Sequence, residues 1–180
     1  WGLAEAGEPL PALDAVYGGD LPAGAGVSSS AAVEVAFLLA SKALSGERDP
    51  DRAACARACR RLENRYLGLH SGIMDPFASL FGRRDHLVFL DCRSHDHELL
   101  PLPPGLAVLV VDSGVRRRLA SSGFNDRRDQ CARASELLAE ILDRPVPTLR
   151  DVDAETFEQA SRALKAGKHV ICEKPLTLSE

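Results

Sequence analysis

Residues 21–35 read "LPAGAGVSSSAAVEV": a proline and two glycines, three consecutive serines, then an apolar segment of helix formers. The composition changes within a few residues from that of a turn to that of a helix, so a helix is predicted from about Ser29 to Leu44, stopped by Ser45-Gly46. A helix N-terminus leaves backbone N–H groups unpaired and carries a positive partial charge. Glycines ahead of it can close around an anion, and serine hydroxyls can donate to phosphate or ligate a hard cation. Two readings stay open: one serine caps the helix after an ordinary turn, or Gly24-Ala25-Gly26-Val27-Ser28-Ser29-Ser30 is a phosphate cradle. Capping needs only one hydroxyl. No Gly-Lys-Ser/Thr follows, and Ser29 stands where a dinucleotide fingerprint has its third glycine, so neither of those motifs is present.

Outward from this stretch, "LDAVYGGD" (13–20) reads as a short strand ending in a Gly-Gly turn. A helix is expected over about 50–67, where Ala54, Ala58, Leu62 and Tyr66 recur at helical spacing. A short apolar helix closes at Gly82, strands are expected at 86–92 and 106–113, and a long helix spans Asn125–Leu142, stopped by Arg144-Pro145. "LAVLVVDS" (106–113) is almost wholly apolar, as in a strand covered on both faces. The segments give an α+β class without internal repeats.

Composition narrows the function. The 180 residues are 45% hydrophobic and 27% charged, with a net charge of −4, which describes a soluble globular chain and disfavours nucleic acid as partner. No apolar run reaches the ~18 residues of a membrane helix. No secretory leader opens the sequence, and Trp1 in place of Met places its start inside a longer protein; the expectation is a cytoplasmic monomer without a membrane partner. The five cysteines, Cys55, Cys59, Cys92, Cys131 and Cys172, form no C-x-x-C pair or zinc pattern and read as reduced thiols. Cys55 and Cys59 should share a helix face. "SHDHE" (94–98) is either a metal-binding cluster or a solvated link, and Arg116-Arg117-Arg118 either attracts phosphate or forms a charged turn.

A second constellation lies in "ENRYLGLHSGIMDPF" (63–77), with Glu63 near a helix end and Asp75 after a glycine turn, twelve residues apart. Phosphoryl transfer uses a metal ligand and a group that orients and deprotonates the attacking hydroxyl, and two carboxylates can supply both. Spacing alone is equally met by two surface carboxylates.

The serine-rich stretch closely resembles the second motif of the GHMP small-molecule kinases, and "SSSAAVEV" with "GIMDPF" resembles the galactokinase family within them. "HLVFLDCRS" (86–94) and "VDSGVRRRLASSGFNDRRDQC" (111–131) are similar to that family's later strand, loop and helix. The resemblance implies a GHMP-kinase-like fold: a half like domain 2 of ribosomal protein S5 over 1–105, then the start of the C-terminal α+β half over 106–157, truncated at both ends. It implies transfer of the ATP γ-phosphoryl group to the C1 hydroxyl of galactose. Pro22, Ala23, Gly24, Ala25, Gly26, Val27, Ser28 and Ser29 would hold ATP, Ser30 and Glu63 would hold Mg²⁺, Asp75 would be catalytic, and Gly72, Asp75 and Phe124 would meet the sugar. Val27 replaces the family's leucine, Phe124 its tyrosine and Pro76 its glutamine. Pro76 lacks an amide hydrogen and restricts Asp75 toward extended backbone. The family's first motif, "GEHTDY" with an upstream arginine that stands beside the catalytic aspartate, and its glycine-rich third motif are not in the sequence.

The stretch 158–180, "EQASRALKAGKHVICEKPLTLSE", resembles instead the inositol-dehydrogenase and glucose–fructose-oxidoreductase family, with Lys174 at its substrate or nicotinamide position. No dinucleotide fingerprint precedes it, so it reads as a foreign tail joined near 152–160, and Lys174-Pro175 also fits a plain helix–strand turn.

Overall fold

The computed structural model describes residues 2–5, 12–111, 114 and 123–158. Two compact units divide the chain, Trp1–Ser122 and Gly123–Glu180. The first contains α1 (Gly2–Glu5), α2 (Ser29–Leu44), α3 (Arg52–Arg65), α4 (Met74–Phe81), β1 (His86–Leu90) and β2 (His97–Pro101). The second contains α5 (Phe124–Leu142), a 3-10 turn at Leu149–Asp151 and helical residues 154–158.

Helix α2 has the expected bounds. Ala31, Val35 and Leu38 recur at helical spacing on its buried face. Helix α3 is shorter than expected at both ends. Asp51, following Pro50, accepts the Ala54 N–H at 3.1 Å and fixes the start, and Gly68 at φ 66° takes the chain out of the helix beyond Tyr66. Its buried face carries Cys55, Ala56, Cys59 and Glu63, so the two cysteines do share one side. Helix α4 contributes Phe77, fully enclosed, and Leu80. The three helices pack on one another around Val35, Leu38, Cys55, Ala56, Cys59, Ile73, Phe77 and Leu80. Burying this many apolar side chains, at ~25 cal/mol per Å² of apolar surface, is the main force holding the unit together.

The end of α4 is closed on two sides. Arg52 donates from Nη1 to the Leu80 carbonyl at 3.0 Å, supplying a partner to one of the last-turn oxygens. Gly82 takes the cap position, where a Cβ would stand 2.6 Å from the Ala78 carbonyl oxygen. The chain then enters β1, which pairs antiparallel with β2 in the register His86↔Pro101 to Leu90↔His97. Val88 and Leu90 face the helical core, and Phe77 lies stacked on Phe81 at 4.2 Å and edge-on to His97 at 5.0 Å.

Four expectations are corrected here. Residues 13–20 form no strand, and Val16 and Tyr17 lie open to solvent. Residues 106–111 pair with no neighbour among the described residues, and Leu106, Val108, Leu109, Val110 and Val111 are all exposed. A strand exists only through its ladder, which apolar composition cannot supply without a partner. The polar link instead supplies one: residues 97–101 form β2, so "SHDHE" runs from a turn into a strand and is neither a loop throughout nor a metal cluster. Finally, Asp75 and Pro76 lie in the first turn of α4, not in extended backbone. The missing proline N–H costs nothing there, because first-turn amides have no intrahelical acceptor. The first ladder bond, from Phe77 N–H to the Ile73 carbonyl at 3.0 Å, passes over it.

In the second unit α5 ends at Leu142, with Asp143 in the left-handed region (φ 47°) and Pro145 two residues beyond. Thr148 and Asp151 form a reciprocal capping box, and Leu138 and Val146 centre a small core with Ala139, Leu142, Val152 and Phe157. Asp112, Ser113, Arg116, Arg117 and Arg118 lie outside the described residues, as does the stretch 159–180 with Lys174.

Candidate phosphate and carboxylate site

The turn before α2 is built from left-handed backbone. Gly24 has φ 73°, Gly26 φ 80°, and Ser28 itself φ 57° and ψ 37°. Glycine adopts this region freely. A serine does so at a cost of about 1–2 kcal/mol, and such strain concentrates at functional positions. Open space surrounds the missing Cβ of Gly26, so its requirement is conformational and not steric.

The capping reading fails on geometry. Ser28 occupies the N-cap position, yet its side chain makes no capping hydrogen bond, and only its carbonyl joins the helix, accepting from Ala32 N–H at 3.1 Å. The serine hydroxyls and the first-turn amides of α2 are therefore not consumed in terminating the helix. That leaves a positive helix end and hydroxyl donors behind a mostly exposed turn, which is the chemistry of an anion site.

Glu63 sits on the buried side of α3 at 5% exposure, contrary to a surface carboxylate. Its side chain has no hydrogen bond or ion pair among the described residues. Facing it from α2 is Glu34, one turn after Ser30 and so on the same helix face. The Glu34 Oε2 is enclosed without a partner. Its carboxyl is pushed up to about 7, first by burial and then by the charge of Glu63. The same environment pushes the Cys59 thiol up to about 12, through burial and then through Glu34, Cys55 and Glu63. A neutral thiol of this kind is neither a ligand nor a nucleophile.

A pinned loop runs from Glu63 to Asp75. Leu69 N–H donates to the Glu63 carbonyl at 3.0 Å, Ser71 Oγ to Asn64 Oδ1 at 3.3 Å, and Leu69 and Ile73 bury their side chains. Asp75 then emerges half-buried at the start of α4, with no hydrogen bond or ion pair to its carboxylate among the described residues. Gly72, in the same loop, is exposed with open space beside it. The packing of α2, α3 and α4 thus gathers Ser30, Glu63 and Asp75 onto one three-helix unit. Phe124 is the first residue of α5 in the other unit. Sequence reasoning assigned no role to Glu34, although a lone carboxylate four residues after Ser30 in an apolar helix was the available signal.

Glu63, without a side-chain partner among the described residues, and the serine hydroxyls at the start of α2 are hard oxygen donors, whose chemistry suits a magnesium-sized cation. Among the described residues no group of three or more His, Cys, Asp or Glu is arranged to hold a metal by itself, so phosphate oxygens would have to complete the shell.

The family described as "GHMP kinases N terminal domain" matches residues 2–83. A galactokinase of Roseiflexus sp. (strain RS-1) is 36% identical over 181 residues, taking in 95% of this chain and 44% of that protein. A galactokinase of Homo sapiens is 38% identical over 174 residues, 92% of this chain and 42% of that protein. The crystal structure of Lactococcus lactis galactokinase complexed with galactose superimposes with a TM-score of 0.69 at 25% identity, over 89% of this chain and 41% of that one. The chain therefore spans under half the length of the curated relatives it matches.

Proposed function

We propose that the chain belongs to the GHMP kinases and carries the phosphate-binding and carboxylate parts of a sugar kinase, on the match of residues 2–83 to the GHMP kinase N-terminal domain and the 36–38% identity to galactokinases over most of its length. The reaction is transfer of the ATP γ-phosphoryl group to the C1 hydroxyl of galactose. Galactose is chosen because the Lactococcus lactis structure with TM-score 0.69 is a galactose complex. The observation that carries the proposal is the uncapped, left-handed turn at Gly24–Ser28 on the same helical unit as the buried, unpartnered Glu63.

In this reading residues 22–29 wrap the nucleotide phosphates with backbone N–H groups and serine hydroxyls. Ser30 and Glu63 hold Mg²⁺, which supplies positive charge against the phosphate oxygens. Asp75 orients the sugar hydroxyl and receives its proton as the hydroxyl oxygen bonds to the γ-phosphorus and the bond to the ADP oxygen breaks. Gly72 leaves room for the sugar beside Asp75, and Phe124 offers an aromatic ring without the hydroxyl of the family's tyrosine, which relaxes selectivity. Among the described residues the four cysteines are free and no helix is long and apolar enough to cross a membrane, and we take the setting to be cytoplasmic on the thiols. Domain limits at 1–105 and 106–157, with 158–180 a separate tail, belong to the same proposal, although the compact units of the fold divide at Ser122/Gly123.

The test is ATP consumption by the purified chain against a panel of sugars, with Asp75→Ala beside it. Galactose-dependent turnover, lost in the variant while ATP binding persists, is the expected result. Turnover with a different sugar reassigns the substrate within the family. ATP binding without turnover reduces the chain to a nucleotide-binding fragment, and absence of ATP binding removes the loop as a working site.

A further inference from the structure

Glu34 is the only acidic residue of α2, and nothing above assigns it a role. It stands one turn after Ser30 and faces Glu63 across the α2–α3 contact. Its Oε2 is enclosed and unpartnered, while Glu63 is 5% exposed and also without a side-chain partner among the described residues. The nearest cation along α2, Lys42, is turned to Glu47 at 2.9 Å. A half-buried Glu34 set against a buried Glu63, with no ion pair to either carboxylate among the described residues, opposes folding, and a cation beside them would relieve that repulsion. We propose that Glu34 is a positioning residue of the divalent-cation site: its charge, presented from α2, holds Glu63 toward the cation and strengthens cation binding there. The inference rests on the kinase reading for the identity of the site, and on the Glu34 and Glu63 geometry for its content.

Direct Mn²⁺ binding, followed by the spin-resonance signal of the free ion with and without ATP, tests it in the whole chain. Glu34→Gln is expected to weaken Mn²⁺ binding roughly 10- to 100-fold, the range for residues that orient a metal ligand, while the metal-free variant melts at the same or a higher temperature. Glu34→Asp, which keeps the charge, is expected to retain more of the affinity than Glu34→Gln. Equal Mn²⁺ affinity in wild type and Glu34→Gln overturns the proposal, as does absence of Mn²⁺ binding by the wild type. A metal-free Glu34→Gln that melts lower also overturns it, since Glu34 would then be supporting the fold. Failure of the wild type to bind ATP sinks the kinase reading separately, because the Mn²⁺-only comparison still judges Glu34.

Discussion

A carboxyl that keeps its proton to about pH 7 makes folding sensitive to pH. Glu34 titrates near 4.5 when exposed and near 7 in the fold, so between these values the native state holds more proton than the unfolded one. Stability contributed at this site is fully present below about pH 4.5 and is lost as pH rises through 7. Glu34→Gln is expected to flatten that decline in melting temperature across the same window, and an unchanged slope would assign it to other groups. Thiol chemistry gives a second expectation. Cys92 and Cys131 are exposed and should alkylate in the native protein, whereas Cys55 and Cys59 are buried and should react only after unfolding, as mass spectrometry of a timed iodoacetamide reaction would show. Residues were legible to unequal depth. Ser30, Glu63 and Asp75 could be singled out only through the resemblance of their motifs to a known family, because their spacing alone fits surface groups equally well. Glu34 was visible as a lone carboxylate in an apolar helix, but its character was not, because that comes from what α3 places against it.

Among the elements, α4 bears the heaviest packing. Phe77→Ala removes a ring enclosed by Phe81, His97 and the α2–α3 face, and should cost about 3–5 kcal/mol in urea unfolding. Gly82→Ala places a Cβ against rigid backbone at Ala78, and about 1–3 kcal/mol of destabilisation is expected, with retention of full stability refuting the close approach. The limits of α2 and α4 were readable because helix starts and stops are written locally, in Ser29, Ser45-Gly46 and Gly82. Strands were not. Residues 13–20 and 106–111 have the right side chains and no partner among the described residues, while His97–Pro101 joined the sheet despite a charged residue and a proline. Pairing is a property of two segments, and a single run of sequence states only one of them.

Over the whole molecule, apolar surface is left uncovered in several places: Val33, Phe37 and Leu44 on α2, Leu87 and Phe89 on β1, and the run from Leu106 to Val111. A chain with such surface is expected to bind a hydrophobic dye in its native state and to associate as concentration rises. Phe37→Glu should reduce both, measured by dye fluorescence and light scattering, and a change in neither would place the association elsewhere. The α+β class and the resemblance to kinases were readable from motifs within residues 21–131; which apolar segments are buried was not, since it depends on neighbours. The run 106–111, "LAVLVV", is uncharged, free of proline, exposed and outside any helix or strand. Segments of that kind are what holding chaperones and unfolding proteases seize. The lifetime of this protein in a cell is therefore a race between whatever covers six residues and whatever pulls on them.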